Sequence, residues 1–106
     1  MGNRIIFGCP NNKKLIDRLI DAASKAGAGR AGNYSRVATV SKGYGTWKSE
    51  KGAHPNIGKV GKISKVPSVT IDMPCPDSKL KAVYLAIKKA HPYEEPLIEI
   101  IKLEDI

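Results

Sequence analysis

Apolar residues return with two different periods along this chain. Leu15, Ile16, Leu19, Ile20, Ala23 and Ala26 recur every three or four positions, with Asp17, Arg18, Asp21 and Lys25 facing away. That spacing predicts an amphipathic helix. Pro10 and then Asn11 or Asn12 supply its entry, and Gly27 its stop. A second helix opens at Pro76, Asp77 and Ser78 and gathers Leu80, Val83, Tyr84, Ile87 and Ala90 on one face. Elsewhere the period is two or the run is wholly apolar. Arg4 to Gly8 predicts strand one, and Tyr34 to Ser41, which alternates loosely, strand two. Val66 to Met73 sets Val69, Ile71 and Met73 against Ser68, Thr70 and Asp72, which predicts a half-buried strand three. Leu97 to Leu103 is strand four, apolar except for Glu99 and Lys102.

The predicted order is βαββαβ, and its halves repeat each other: strand, Cys-Pro, Asn or Asp cap, helix. Helices on one face of an antiparallel sheet give an α+β sandwich. The ferredoxin-like arrangement, with sheet order 4-1-3-2, is the natural solution for this order. One edge of that sheet gathers Cys9, the strand two–three connection with His54, and the stretch from His91 to Glu95. The opposite edge gathers the loop from Gly27 to Tyr34, Cys75 and the C-terminus. Cys9 and Cys75 are then too far apart to form a disulfide. The connection from Lys42 to Lys65 is glycine-rich and long for a structureless loop, so it forms an extra hairpin or reaches a partner. Trp47, the single tryptophan, is an interface anchor if it sits on such an excursion.

A length of 106 residues fits one domain, residues 1–106. No run of ~18 apolar residues marks a membrane span, and no basic-then-apolar leader opens the chain. The expectation is a cytoplasmic protein with reduced cysteines. The formal charge of +8 favours anionic partners. The lysines are scattered, however, and aromatic residues do not interleave with them, which argues against nucleic acid.

The densest chemistry lies in His91-Pro92-Tyr93-Glu94-Glu95-Pro96. The two prolines push His91 and Glu95 towards extended backbone, so the segment is a stiff bend. His91, Glu95 and His54 are the candidate metal ligands. Their nitrogen and oxygen donors suit zinc or copper better than magnesium. Adjacent carboxylates in an extended strand point to opposite sides. A salt bridge from Glu94 or Glu95 to Arg30 of a neighbouring subunit is therefore an equal alternative. The ligand-binding candidates are His91, Tyr93, Glu94, Glu95, Gly43, Gly45 and Trp47. Gly29, Arg30 and Tyr34 join them from a second glycine-rich loop, although its place after a helix favours a helix cap and tight bend.

The runs Gly27-Ala28-Gly29-Arg30, Gly32-Asn33-Tyr34, Gly43-Tyr44-Gly45-Thr46-Trp47, Gly52-Ala53-His54-Pro55-Asn56-Ile57-Gly58, Gly61 and the His91–Pro96 segment occur in one order. Together they resemble the insertion domain of the dinuclear metal-centre proteins. These are the NGG-interacting-factor-three-like family, also called GTP cyclohydrolase I type 2 homologues. Val37, Thr39 and Trp47 depart from the residues usual in that family. More distantly the chain resembles CutA and PII proteins, through Pro92-Tyr93-Glu94-Glu95-Pro96. The resemblance implies a ferredoxin-like fold and a homotrimer. The halves that carry the family's metal ligands have no counterpart here, so the chain reads as a stand-alone relative without hydrolase activity. The expected function is a non-catalytic oligomeric binding or regulatory module taking a metal or small ligand. The alternatives are a nucleic-acid or protein-binding module, and a hydrolase using His91 with a carboxylate.

Overall fold

The computed structural model describes residues 2–104. In it, β1 (Gly2–Pro10), α1 (Lys13–Ala26), β2 (Thr39–Lys48), β3 (Ile63–Pro76), α2 (Leu80–Ala90) and β4 (Ile98–Lys102) follow in that order. A 3-10 turn, Asp77–Lys79, leads into α2. The four strands form one antiparallel sheet in the order β2-β3-β1-β4. This is the expected 4-1-3-2 sheet read from its other edge.

Register explains where the core sits. Ile5 pairs with Met73, Phe7 with Ile71 and Cys9 with Val69. Partners across a ladder point to the same face. Those six side chains therefore line one face of the sheet, and all are buried. Leu19, Ile20 and Ala23 of α1 and Val83 and Ile87 of α2 complete the same cluster. Both helices thus lie on one face, and the other face carries no helical layer. Each end of α1 is capped as its sequence predicts: the Asn12 side chain accepts from the amide of Leu15, and Gly27 stops the helix at φ +125°. Asp77 departs from the expected capping role. Its carboxylate accepts instead from Asn3 Nδ2 at 2.7 Å, tying β1 to the start of the 3-10 turn.

Strand two is the main correction. It begins at Thr39 rather than Tyr34 and runs on to Lys48, while β3 starts at Ile63. The two ends of the glycine-rich stretch are therefore ladder, which runs from Thr39↔Asp72 out to Lys48↔Ile63, and residues 49–62 form the loop at its tip. β1 pairs with β3 only from Ser68 onward. The outer half of the β2–β3 hairpin is accordingly a two-stranded arm that projects past the sheet. The long axis of 45 Å against 25 and 24 Å reflects it. Gly43 and Gly45 lie within β2 and not in a loop. A Cβ on Gly45 would stand 3.1 Å from Ser68 Oγ, so glycine there admits the serine across the ladder. No helix among the described residues is long and apolar enough to cross a membrane.

Candidate functional site

His91 organises the junction of helix, bend and sheet. Its amide closes α2 on the carbonyl of Ile87, and its backbone then turns extended, at φ −75° and ψ 138°, ahead of Pro92. The ring is 7% exposed. Nε2 lies 2.7 Å from the carbonyl oxygen of Gly8, and Nδ1 accepts from the amide of Tyr93 at 3.1 Å. A carbonyl can only accept, so the proton resides on Nε2 and the imidazole is neutral. Burial holds its pKa below the ordinary histidine value, the Gly8 carbonyl opposes this, and the Arg18 guanidinium adds to the lowering.

Tyr93 carries the bend to the arm. Its ring centroid is 4.9 Å from that of His91 and 5.4 Å from that of Trp47. One residue on, a Glu94 carboxylate oxygen accepts from the amide of His54 at 3.0 Å. The loop at the tip of the arm returns over Trp47 at Gly58, whose φ of +91° suits glycine; a Cβ there would collide with Ser64 Oγ and approach Trp47 Nε1 to 4.0 Å. Between arm, bend and the uncovered sheet face lies an open cleft of about 1060 Å³. Ile6, Gly45, Trp47, Tyr93, Leu97 and Glu99 are among its walls, with Glu94 and Glu95 at the bend.

Cys9 also borders the cleft. It is 1% exposed, and burial pushes its pKa up to about 11. A protonated thiol is a weak nucleophile. Burial pushes the Tyr93 phenol up as well, with Cys9 adding to it. Cys75, also buried, is raised by desolvation and by Asp77. At pH 8 in native protein, a thiol reagent is expected to modify both cysteines at least ~100-fold more slowly than in denaturant. Stoichiometric labelling of native protein within minutes would contradict that burial.

The Tyr93 hydroxyl is buried without a hydrogen-bond partner. Such a group costs free energy, so Tyr93→Phe is expected to leave stability unchanged or raise it by ~1 kcal/mol in urea denaturation. A loss of more than ~1 kcal/mol would contradict the orphaned hydroxyl.

The structure brings only some of the sequence candidates together. Trp47, Gly45, Tyr93, Glu94 and Glu95 line the cleft, and Gly43 lies on the arm just outside its lining. Gly29, Arg30 and Tyr34 do not join them. Gly29, at φ +81°, bonds to the carbonyl of Pro74 beside β3's far end, where a Cβ would press Met73, Arg36 and Val37. Its glycine is explained by the fold. Arg30 is exposed, and Tyr34 is 74% exposed beside it. The metal triad of His91, Glu95 and His54 is not formed. Both ring nitrogens of His91 are engaged by backbone groups. Among the described residues no three His, Cys, Asp or Glu side chains are placed to hold a metal ion. Two participants escaped the sequence reading. The Gly8 carbonyl has no side-chain signature. Cys9 was placed on the right edge, but nothing in the chain's spacing set its thiol beside Tyr93.

A sheet in this order, with an arm between its second and third strands and a Pro-Tyr bend before its fourth, is comparable with known proteins as a whole. Over 87 residues the chain is 40% identical to a GTP cyclohydrolase 1 type 2 homolog of Halalkalibacterium halodurans, covering 82% of this chain and 23% of that protein. It is similar to one segment of the GTP cyclohydrolase 1 type 2 homologs. A Bacillus subtilis homolog is also 40% identical, over 92 residues. The chain spans about a quarter of the length of the curated relatives it matches. In structure it is similar to a Bacillus cereus protein related to NIF3, with a TM-score of 0.82 at 29% identity over 98% of this chain and 26% of that one. The CutA protein of Archaeoglobus fulgidus, a periplasmic divalent cation tolerance protein, has the same fold, with a TM-score of 0.66 at 18% identity over 99% of this chain and 86% of its own. No protein-family model matches.

Proposed function

We propose that residues 1–106 form a single-domain, self-associating binding module whose ligand site is the cleft between the β2–β3 arm and the His91–Pro96 bend. One observation carries this reading. Two segments forty or more residues apart meet at Trp47–Tyr93 and again at His54–Glu94, and together border an open cleft of ligand size. The aromatic and aliphatic walls favour a small ligand with an apolar body, and the carboxylates at the bend orient it.

The chemistry of the cleft supports binding over turnover. Cys9 stays protonated, and His91 has no free nitrogen with which to act as a general base. The name of the CutA neighbours raises a divalent cation as the ligand. The engaged nitrogens of His91 favour an organic ligand instead. The proposed assembly is a homotrimer. Leu97, Ile100, Ile101 and Leu103 stay exposed along the edge strand β4, and edge strands of this kind are normally covered.

Native mass spectrometry of untagged protein tests both halves of the proposal. The expected spectrum shows trimer ions carrying a retained small molecule. Bare monomer at micromolar concentration would contradict it.

A further inference from the structure

The lysines that look scattered along the chain are concentrated by the fold. Lys48, Lys51, Lys59, Lys62 and Lys65 fall on the arm and its tip and Lys42 at its root, with Glu50 as the one carboxylate among them. Six cations against one anion give residues 42–65 a charge of +5 out of the chain's +8. All six are exposed. Among the described residues, only Lys48 of the six has a carboxylate within 4 Å, Glu50 at 3.9 Å.

The register then sorts them. Thr46 pairs with Lys65 and Lys48 with Ile63, so Lys42, Tyr44, Thr46, Lys48 and Lys65 share one face of the ribbon. Gly45 and Trp47 point to the other face, towards the cleft. Tyr44 is 65% exposed, and Lys65 Nζ lies 4.4 Å from its ring centre. An aromatic ring thus lies among the cations. From Lys42 to Lys48 the face extends ~20 Å, at ~3.3 Å per residue.

We propose that this face of the arm docks on the phosphate backbone of a nucleic-acid duplex. The partner is identified by shape and charge. A two-stranded ribbon is thin enough to enter a groove ~12 Å wide, and its lysines are point charges for phosphates on either side. The four arginines, Arg4, Arg18, Arg30 and Arg36, all lie off the arm. The arm therefore lacks the bidentate fork that reads guanine, and the contact is independent of sequence. This inference does not depend on a ligand in the cleft, although Tyr44, Thr46 and Lys48 also border it.

Fluorescence anisotropy with a labelled duplex of ~20 base pairs, at ~50 to ~200 mM KCl, tests it on the intact chain. The expected slope of log K against log salt is about −3 to −4, as three or four lysines each release a counterion. The triple variant Lys42→Gln, Lys48→Gln, Lys65→Gln should bind at least ~30-fold more weakly and flatten that slope by about 0.9 per lysine. A charge-matched triple on α2, Lys81→Gln, Lys88→Gln, Lys89→Gln, should change affinity by less than ~3-fold. Equal weakening by both triples would reduce the effect to net charge and overturn the arm as a surface. Polyglutamate competing as well as duplex at equal charge would overturn the nucleic-acid partner in favour of an acidic polypeptide. No binding at ~100 μM protein in low salt would overturn the proposal outright.

Discussion

Replacing His91 by alanine is expected to lower the unfolding free energy by ~3 kcal/mol, more than any other change at the cleft. Three losses combine. The Gly8 carbonyl and the Tyr93 amide each lose a partner in a buried place, and the ring leaves a void. The bend is then held to β1 by little else, so Tyr93 should leave Trp47. The indole emission of the single tryptophan reports this directly. His91→Gln, which keeps a donor for Gly8, should recover part of the loss. Urea denaturation of the three proteins makes the comparison; a cost below ~1 kcal/mol for His91→Ala would contradict the junction described.

The same residue sets an acid limit. Its folded pKa is depressed below the ordinary 6.5, so the unfolded chain takes up a proton that the native state refuses. Stability from this group is complete above pH 6.5 and declines as pH falls from there towards the lower, native pKa. Protonation at Nδ1 would also set a new N–H against the Tyr93 amide. In His91→Ala the acid-dependent decline over that window should be largely absent.

Introducing a charge on β4 should have the second large effect. Ile101 lies on the sheet face without helices and is 52% exposed in the single chain. Leu97, at 75% exposure, stands a few residues away along the same strand edge. If subunits cover this strand, Ile101→Glu buries a carboxylate against apolar neighbours, which costs several kcal/mol per interface. Light scattering is expected to give a trimer for the wild type and a monomer for Ile101→Glu, with circular dichroism unchanged. A wild-type monomer would contradict the assembly, and a trimer that tolerates glutamate would move the interface elsewhere.

Both helices were legible to within a residue or two of their ends because their apolar faces follow a helical period and Asn12 and Gly27 mark the limits of α1. The sheet order followed from the order of elements and the alternation of Val69, Ile71 and Met73. The arm was not legible because its glycines look like loop. Gly45 is there for Ser68 across the ladder, a contact that no local pattern announces. At the cleft, sequence reasoning placed the right segments on one edge through topology alone. It read His91 as a candidate ligand, and the structure sets both its ring nitrogens against the backbone of Gly8 and Tyr93. A backbone partner eighty-three residues away has no residue type to betray it. The charge of the arm was hidden for a related reason. That Lys42, Lys48 and Lys65 share one face emerges only when the register is known.

The central claim is that arm and bend form one ligand site, and backbone NMR of labelled protein titrated with a set of small aromatic and aliphatic carboxamides tests it most directly. The account predicts saturable shifts, at millimolar probe or below, confined to the Trp47 indole N–H and the amides of Gly45, Tyr93, Glu94, Glu95 and Leu97. Those shifts should vanish in His91→Ala, where the bend is released, and survive in the Lys42→Gln, Lys48→Gln, Lys65→Gln variant. Shifts that fall on Gly29, Arg30 and Tyr34 instead, or no shifts with any probe, would contradict it.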